Sequence, residues 1–340
     1  MCSRETGRVN YFASKASKAR DAGEASKAGK ASKVLTSPAL LALLALLALL
    51  ASFVPSPAEA ATACVVMSRR IPPYEEASKG FRAGFSGKSV EFDMGGSVES
   101  GLAMLPKLTE AGCDIVVAFG SPAAKFLKLR ITDKPLIYAM VLNPASEGIG
   151  GSNVTGVHLE PAPQQVLAAI KRILPNAQNV GVLYNPAASS AYISAAERAS
   201  PALGLKLIAQ AAPSAGDAIR LVAPLAEKSD VLWMIPDAVA SSDSVFREML
   251  RHSLQRGLPV FALSQKHVSE GALAALATDY AANGLQAGQI ANRIAGGSDP
   301  GAIAEEFAKK TAWFINAKTA GRIGVKIPGD VAKEAAETYR

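Results

Sequence analysis

Few residues in this sequence have the type and spacing that chemistry needs, and those few argue against catalysis. The three histidines, His158, His252 and His267, stand far apart without zinc-ligand spacing, and no Gly-x-Ser-x-Gly nucleophile elbow occurs. The run Gly84-Phe85-Ser86-Gly87-Lys88-Ser89 resembles the end of a phosphate-binding loop. Arg82, however, stands where the first glycine belongs, and the run closes a helical pattern instead of opening one. A racemase with one cysteine on each half is disfavoured too, because Cys64 and Cys113 both precede residue 114. Neither a catalytic residue, a metal nor a cofactor is expected.

What remains is a set of polar residues that follow apolar runs. In Phe119-Gly120-Ser121-Pro122-Ala123-Ala124 a strand leads through a cap into a helix with proline in its first turn. Backbone donors of this turn, with the Ser121 hydroxyl, would there face an anionic group such as a carboxylate, which makes Ser121, Pro122 and Ala123 ligand-contact candidates. A helix cap alone explains the same string. Asp237 ends a strongly apolar run and would hold an ammonium or hydroxyl, more strongly once water is excluded; its alternative is again a cap. Tyr74, Asn143, Asn185, Ser189 and Ser264 are the other loop candidates, and Asp279 stands where the chain is expected to cross between two halves. Tyr74, Tyr184 and Tyr280 would stack on a planar ligand or serve packing.

These positions matter only if the elements around them place them together. Past Ala60 short β-branched runs alternate with amphipathic stretches, the grammar of parallel sheets covered by helices on both faces. Strands are expected at Cys64 to Met67, Ser89 to Met94, Asp114 to Phe119 and Pro135 to Leu142, with helices from Tyr74 to Phe85 and from Val98 to Ala111. The Gly-rich connector at residues 147–151 and the run Val154 to Val157 read as a hinge, after which the pattern repeats. The second series runs through helix Pro163 to Leu174, strand Val180 to Tyr184, helix Ala191 to Leu203 and strand Lys206 to Ala209. Helix Asp217 to Glu227, strand Val231 to Ile235, helix Ser242 to Arg256 and strand Val260 to Ala262 complete it. Gly204 and Gly257 follow helix ends, where a left-handed residue is commonly needed. The expected fold class is α/β, two doubly wound parallel-sheet lobes joined by crossing hinge strands. In such sheets ligands bind beyond the carboxyl ends of the strands. One lobe is assigned residues 61–153 and 279–306, the other 154–278 and 307–340.

The formal charge of +7 over 340 residues would suggest nucleic acid, but its distribution does not. The first sixty residues hold eight Lys/Arg against four acids, leaving 28 against 25 for the rest, an ordinary balance. Residues 1–33 repeat an Ala-Ser-Lys theme with almost nothing to bury, so no packed structure is expected there. Ala39 to Val54 is a Leu/Ala run of about sixteen residues, followed by Pro55, Pro57 and the small-x-small string Ala58-Glu59-Ala60. Residues 1–60 therefore read as a basic low-complexity leader and signal peptide cut after Ala60, exporting the protein to the periplasm. An uncleaved anchor, the other reading, also leaves the domain facing outward. Cys64 and Cys113 then remain in an oxidising compartment. In a sheet ordered 2-1-3 they sit on neighbouring strands within disulfide reach; two reduced, buried thiols fit equally well.

Specific strings also look familiar: residues 179–186 (NVGVLYNP), 258–262 (LPVFA), 271–280 (GALAALATDY), 313–320 (WFINAKTA) and 324–328 (GVKIP). They resemble the substrate-binding-protein family of ABC transporters whose members include aromatic amino-acid binders. The resemblance spans nearly everything after Ala63. It implies two doubly wound lobes of the periplasmic binding protein kind, a small-molecule ligand of the amino-acid class caught in the interlobe cleft, and delivery to an ABC permease in the inner membrane. A monomer and no nucleic-acid partner are expected. The sequence departs from the family pattern at Pro236-Asp237-Ala238, where only the acid of a usual polar pair remains, and at the non-acidic loop Leu263-Ser264-Gln265. A repressor with the same lobes would need a helix-turn-helix where the leader stands. A periplasmic sensor subunit feeding a membrane kinase is the standing alternative.

Overall fold

The computed structural model describes residues 60–340. The leader, the apolar run and nearly all of the signal-peptide reading lie outside the described residues. In chain order the first strands and helices are β1 (Thr62–Met67), α1 (Pro72–Gly84), β2 (Lys88–Asp93), α2 (Val98–Glu110), β3 (Ile115–Phe119), α3 (Ser121–Lys128), β4 (Leu136–Val141) and β5 (Val154–Pro161). They are followed by α4 (Pro163–Ile173), β6 (Asn179–Tyr184), α5 (Pro186–Ala199), β7 (Lys206–Ala211), α6 (Ala215–Ala226), β8 (Val231–Trp233), α7 (Asp243–Arg256) and β9 (Val260–Ala262). The chain ends with α8 (Gln265–Ser269), β10 (Ala274–Thr278), α9 (Tyr280–Ala295), β11 (Glu306–Ala308), β12 (Thr311–Asn316), α10 (Ala317–Ile323), α11 (Gly329–Glu334) and β13 (Ala335–Tyr339).

Among the described residues the strands form two sheets, one ordered β11-β5-β4-β3-β1-β2 and one ordered β13-β12-β10-β9-β8-β6-β7. All ladders are parallel except β10 with β12. Because side chains alternate across a strand, each sheet feeds two cores. Val65 and Met67 of β1 pack with Phe81 of α1 and Ile290 of α9, whereas Cys64 and Val66 pack with Leu108 of α2 and Leu127 of α3. In the second sheet α4, α5, α10 and α11 cover one face, and α6 and α7 the other. Cys64 and Cys113 are disulfide-bonded, their Cα atoms 5.7 Å apart, where β1 and β3 run side by side. Gly204 and Gly257 take left-handed φ values of 64° and 68°.

Two features of the connectivity differ from the pattern reading. Strand β5 pairs with β4 and β11, so residues 154–161 belong to the first sheet, and the Gly-rich stretch before them is a turn between neighbouring strands. Residues 307–308 likewise sit in the first sheet, through β11. The chain passes between the sheets at three places: after Pro161, after Thr278 and after Ala308. The Thr278 hydroxyl donates to the Leu159 carbonyl, and the Asp279 amide to the Lys310 carbonyl at 3.1 Å, so the crossings are tied together. The other difference is α5, which starts at Pro186, capped by Asn185, instead of at Ala191.

The middle crossing returns α9 to the first sheet, where it lies directly on α1. Gly80 and Gly84 on α1 lie against the backbone of Ala281 and Leu285 on α9, Gly288 lies against that of Phe81 and Gly84, and a Cβ built on Gly284 would stand 1.8 Å from the Ala77 carbonyl oxygen. Only glycine permits backbones this close.

Candidate functional site

Where the crossings meet the carboxyl ends of the strands, the two sheets enclose a cavity of about 230 Å³. Leu142, Leu159, Glu160 and Pro161 come from the ends of β4 and β5, Trp233, Met234 and Ser264 from the second sheet and its loops, and Thr278 and Tyr280 from the middle crossing. The walls are largely apolar, with Tyr192 of α5 and Trp233 contributing rings whose centroids lie 5.9 Å apart. A mostly apolar cleft with a few placed polar groups is the usual form of a small-molecule site.

Glu160 is the carboxylate of this cavity. It is 3% exposed, and both of its oxygens accept from the Asn143 amide, at 3.1 and 3.2 Å. His158, two residues earlier and so on the same side of β5, approaches Glu160 Oε1 with Nδ1 at 3.0 Å and Glu305 Oε2 with Nε2 at 3.3 Å. Burial alone would lower the histidine pKa, but the bonds to Glu160 and Glu305 outweigh it and push the group up to about 9. The imidazolium donates both protons at neutral pH and holds the Glu305 carboxyl below its ordinary range. Phe307 lies against the ring, centroids 4.5 Å apart.

Across the cavity, the Ser264 hydroxyl and His267 Nδ1 are 2.8 Å apart. Burial holds the His267 pKa below its usual value, so the imidazole is neutral at pH 7. Phe246 packs edge-on against it at 4.8 Å.

Of the residues nominated from the sequence, Ser264 and Tyr280 line the cavity. Asn143, the residue after the lining Leu142, takes a left-handed conformation, φ 42°. Its side chain donates from the first sheet to the second, to Ala188 O (3.1 Å), Ser189 Oγ (3.3 Å) and Pro236 O (3.3 Å). Asp237 is buried and fully engaged by its own lobe. Oδ2 accepts from the Asn185 amide and the Ser189 hydroxyl, both at 2.7 Å, and Oδ1 accepts from the Val239 and Ala240 amides at 2.9 and 3.0 Å. Asn185 caps α5 through the Ala187 amide. Asp279 caps α9 through the Ala282 amide and pairs with Lys310 at 2.7 Å; these contacts lower its pKa although burial opposes them.

Tyr74, Ser121, Pro122 and Ala123 form a separate group at the ends of β1 and β3, outside the cavity lining. There Ser68 Oγ donates to the Phe119 carbonyl at 2.9 Å and accepts from the Ala123 amide at 3.0 Å. Gly120, φ 91°, lets the Tyr74 hydroxyl lie against the backbone. Sequence reasoning passed over Glu160, His158, Tyr192 and His267 as site residues. A carboxylate and a histidine two apart on an otherwise apolar strand was the available signal.

A family profile described as ABC transporter substrate binding protein matches residues 80–339. The chain belongs to this family. A solved ABC domain from Streptococcus pneumonia in complex with L-Trp is 25% identical, with TM-score 0.56 over 82% of this chain and 99% of that one. The ligand-free, open substrate binding protein with adhesive properties from Clostridium difficile shares the fold, with TM-score 0.63 at 19% identity over the same shares. A tyrosine-binding protein of Clostridioides difficile (strain R20291) is 24% identical over 215 residues, 61% of each chain. The match thus spans about three-fifths of that relative's length. Among the described residues no helix is long and apolar enough to cross a membrane.

Proposed function

We propose that this ABC-type substrate-binding protein works outside the cytoplasm, captures a small organic ligand of the amino-acid class between its two sheets and delivers it to an ABC permease. The cavity of about 230 Å³, walled from both sheets and by the middle crossing, carries the reading. The L-Trp complex and the tyrosine-binding relative support the ligand class. The leader, with cleavage after Ala60, supports export.

The mechanism follows from the contacts. Opening the cleft must break the Asn143 bonds to Ala188, Ser189 and Pro236, and the Tyr192 hydroxyl bond to the Pro161 carbonyl (3.3 Å). A ligand that touches Glu160 on one side and Ser264 or Trp233 on the other adds contacts only in the closed arrangement and so favours it. The three tied crossings are the axis. Transport energy is supplied elsewhere, so no catalytic residue is needed. A thermal-shift screen of the purified protein against amino acids, nucleosides, sugars and organic acids tests the reading: a ligand recovered unchanged raises the melting temperature. A screen in which no solute stabilises the protein counts against it.

A further inference from the structure

We infer that the group recognised in the cavity is a cationic amine seated on Glu160, with His158 and Glu305 as positioning residues that hold this carboxylate toward the ligand. The inference rests on the solute-binding reading above and narrows it: the ligand needs an ammonium and does not need a carboxylate.

The charges around Glu160 carry the argument. His158 lies between two carboxylates, at 3.0 Å from Glu160 and 3.3 Å from Glu305, so the three groups together keep one negative charge. Glu160 is the buried end of this cluster, 3% exposed, and it is the end that lines the cavity. Among the described residues lining the cavity there is no Lys or Arg, and the one other ionisable base, His267, faces Ser264. The one imidazolium is shared between Glu160 and Glu305 and so offsets the Glu160 charge only in part, and a ligand ammonium is the further cation this geometry admits. A ligand carboxylate would meet the Glu160 charge without any cation to hold it. Tyr192 and Trp233 give the rest of the ligand an aromatic wall.

His158 acts through Glu160 and does not line the cavity. Its Nδ1 proton fixes Oε1, and the Asn143 amide bridges both oxygens, so the carboxylate is turned before ligand arrives. Glu305 holds the far side of the ring and keeps it protonated.

Isothermal titration of the full protein at neutral pH with tyramine, L-tyrosine and 3-(4-hydroxyphenyl)propionate separates the contributions, because the three share a ring and differ only in amine and acid. Tyramine is expected to bind at least as well as tyrosine, and the propionate roughly 100-fold more weakly. Glu160→Gln should weaken tyramine roughly 30-fold or more and collapse the preference for amine over acid. His158→Phe should shrink the same ratio, and His158→Asn, which keeps a donor toward Glu160, should restore most of it; a merely structural role would leave the ratio unmoved. The comparison of the three probes on the unmodified protein stands even where a variant fails to fold. Propionate binding as tight as tyramine overturns the inference and leaves the proposed function intact, as does silence from all three probes while another solute stabilises the protein. Silence from every solute overturns both.

Discussion

Replacing His158 by phenylalanine isolates a pH-dependent part of the stability. In the unfolded chain the imidazole titrates near 6.5, and in the fold near 9, because two carboxylates hold its protonated form against the opposing effect of burial. That difference corresponds to about 3 kcal/mol, since each pH unit of separation is worth about 1.4 kcal/mol. The sign follows from which state binds the proton. Below pH 6.5 both states are protonated and the whole contribution is present. Between 6.5 and 9 only the folded state keeps its proton, so stability falls as pH rises, and above 9 the contribution is gone.

The assay is urea unfolding followed by circular dichroism at about pH 6, 8 and 10, on the parent protein and on His158→Phe. Phenylalanine keeps a ring beside Phe307 and removes the charge. The stability difference between the two proteins should shrink by about 3 kcal/mol from pH 6 to pH 10. Tyrosine and lysine titrations near the upper end occur in both proteins and cancel. Parallel stability curves across this range would refute the assignment of an imidazolium between Glu160 and Glu305.

Asp237→Ala leaves four buried donors without an acceptor and should cost about 3 to 5 kcal/mol, seen as a lower urea midpoint with an unchanged slope. In Gly284→Ala the new methyl group would stand 1.8 Å from the Ala77 carbonyl oxygen; forcing α1 and α9 apart should cost about 3 kcal/mol, measured by thermal melting. Removing both Cys64 and Cys113 as serines frees a loop with 49-residue separation and should cost about 4 kcal/mol, while intact mass of the parent should rise by two hydrogens on reduction. Asn143→Ala deletes the side-chain bonds that join the two sheets and should raise the ligand-free radius of gyration in solution scattering and weaken ligand binding about tenfold.

Much of the fold was legible because its signals are local. The alternation of Val65 and Met67 with Cys64 and Val66, and the glycines at 204 and 257, follow from strand pleat and helix ending, which depend on a few neighbours. Sheet membership is not local. Strand β5 reads the same whether it joins β4 or opens a new sheet, and the glycines before it read equally well as turn or hinge. The actual crossing is marked by Pro161-Ala162-Pro163, where proline ends the strand and opens α4.

The site was legible only as a rule about strand ends. That rule nominated Ser264, which lines the cavity, together with Asn143 and Asp237, which do not, and it passed over Glu160, which lies inside a strand and lines the cavity. What separates the two acids is acceptor capacity. A carboxylate offers about four lone-pair positions. Those of Asp237 are filled by Asn185, Ser189, Val239 and Ala240 of its own lobe, so the residue ties the start of α5 to its own loop and has nothing left to offer. Glu160 receives only His158 and one amide shared by both oxygens, and the residue lines the cavity. Both residues are buried acids near strand ends in the sequence. Their roles divide on how many donors the folded chain brings to each, a quantity set in part by residues 17 to 52 positions away and invisible until the sheets are assembled.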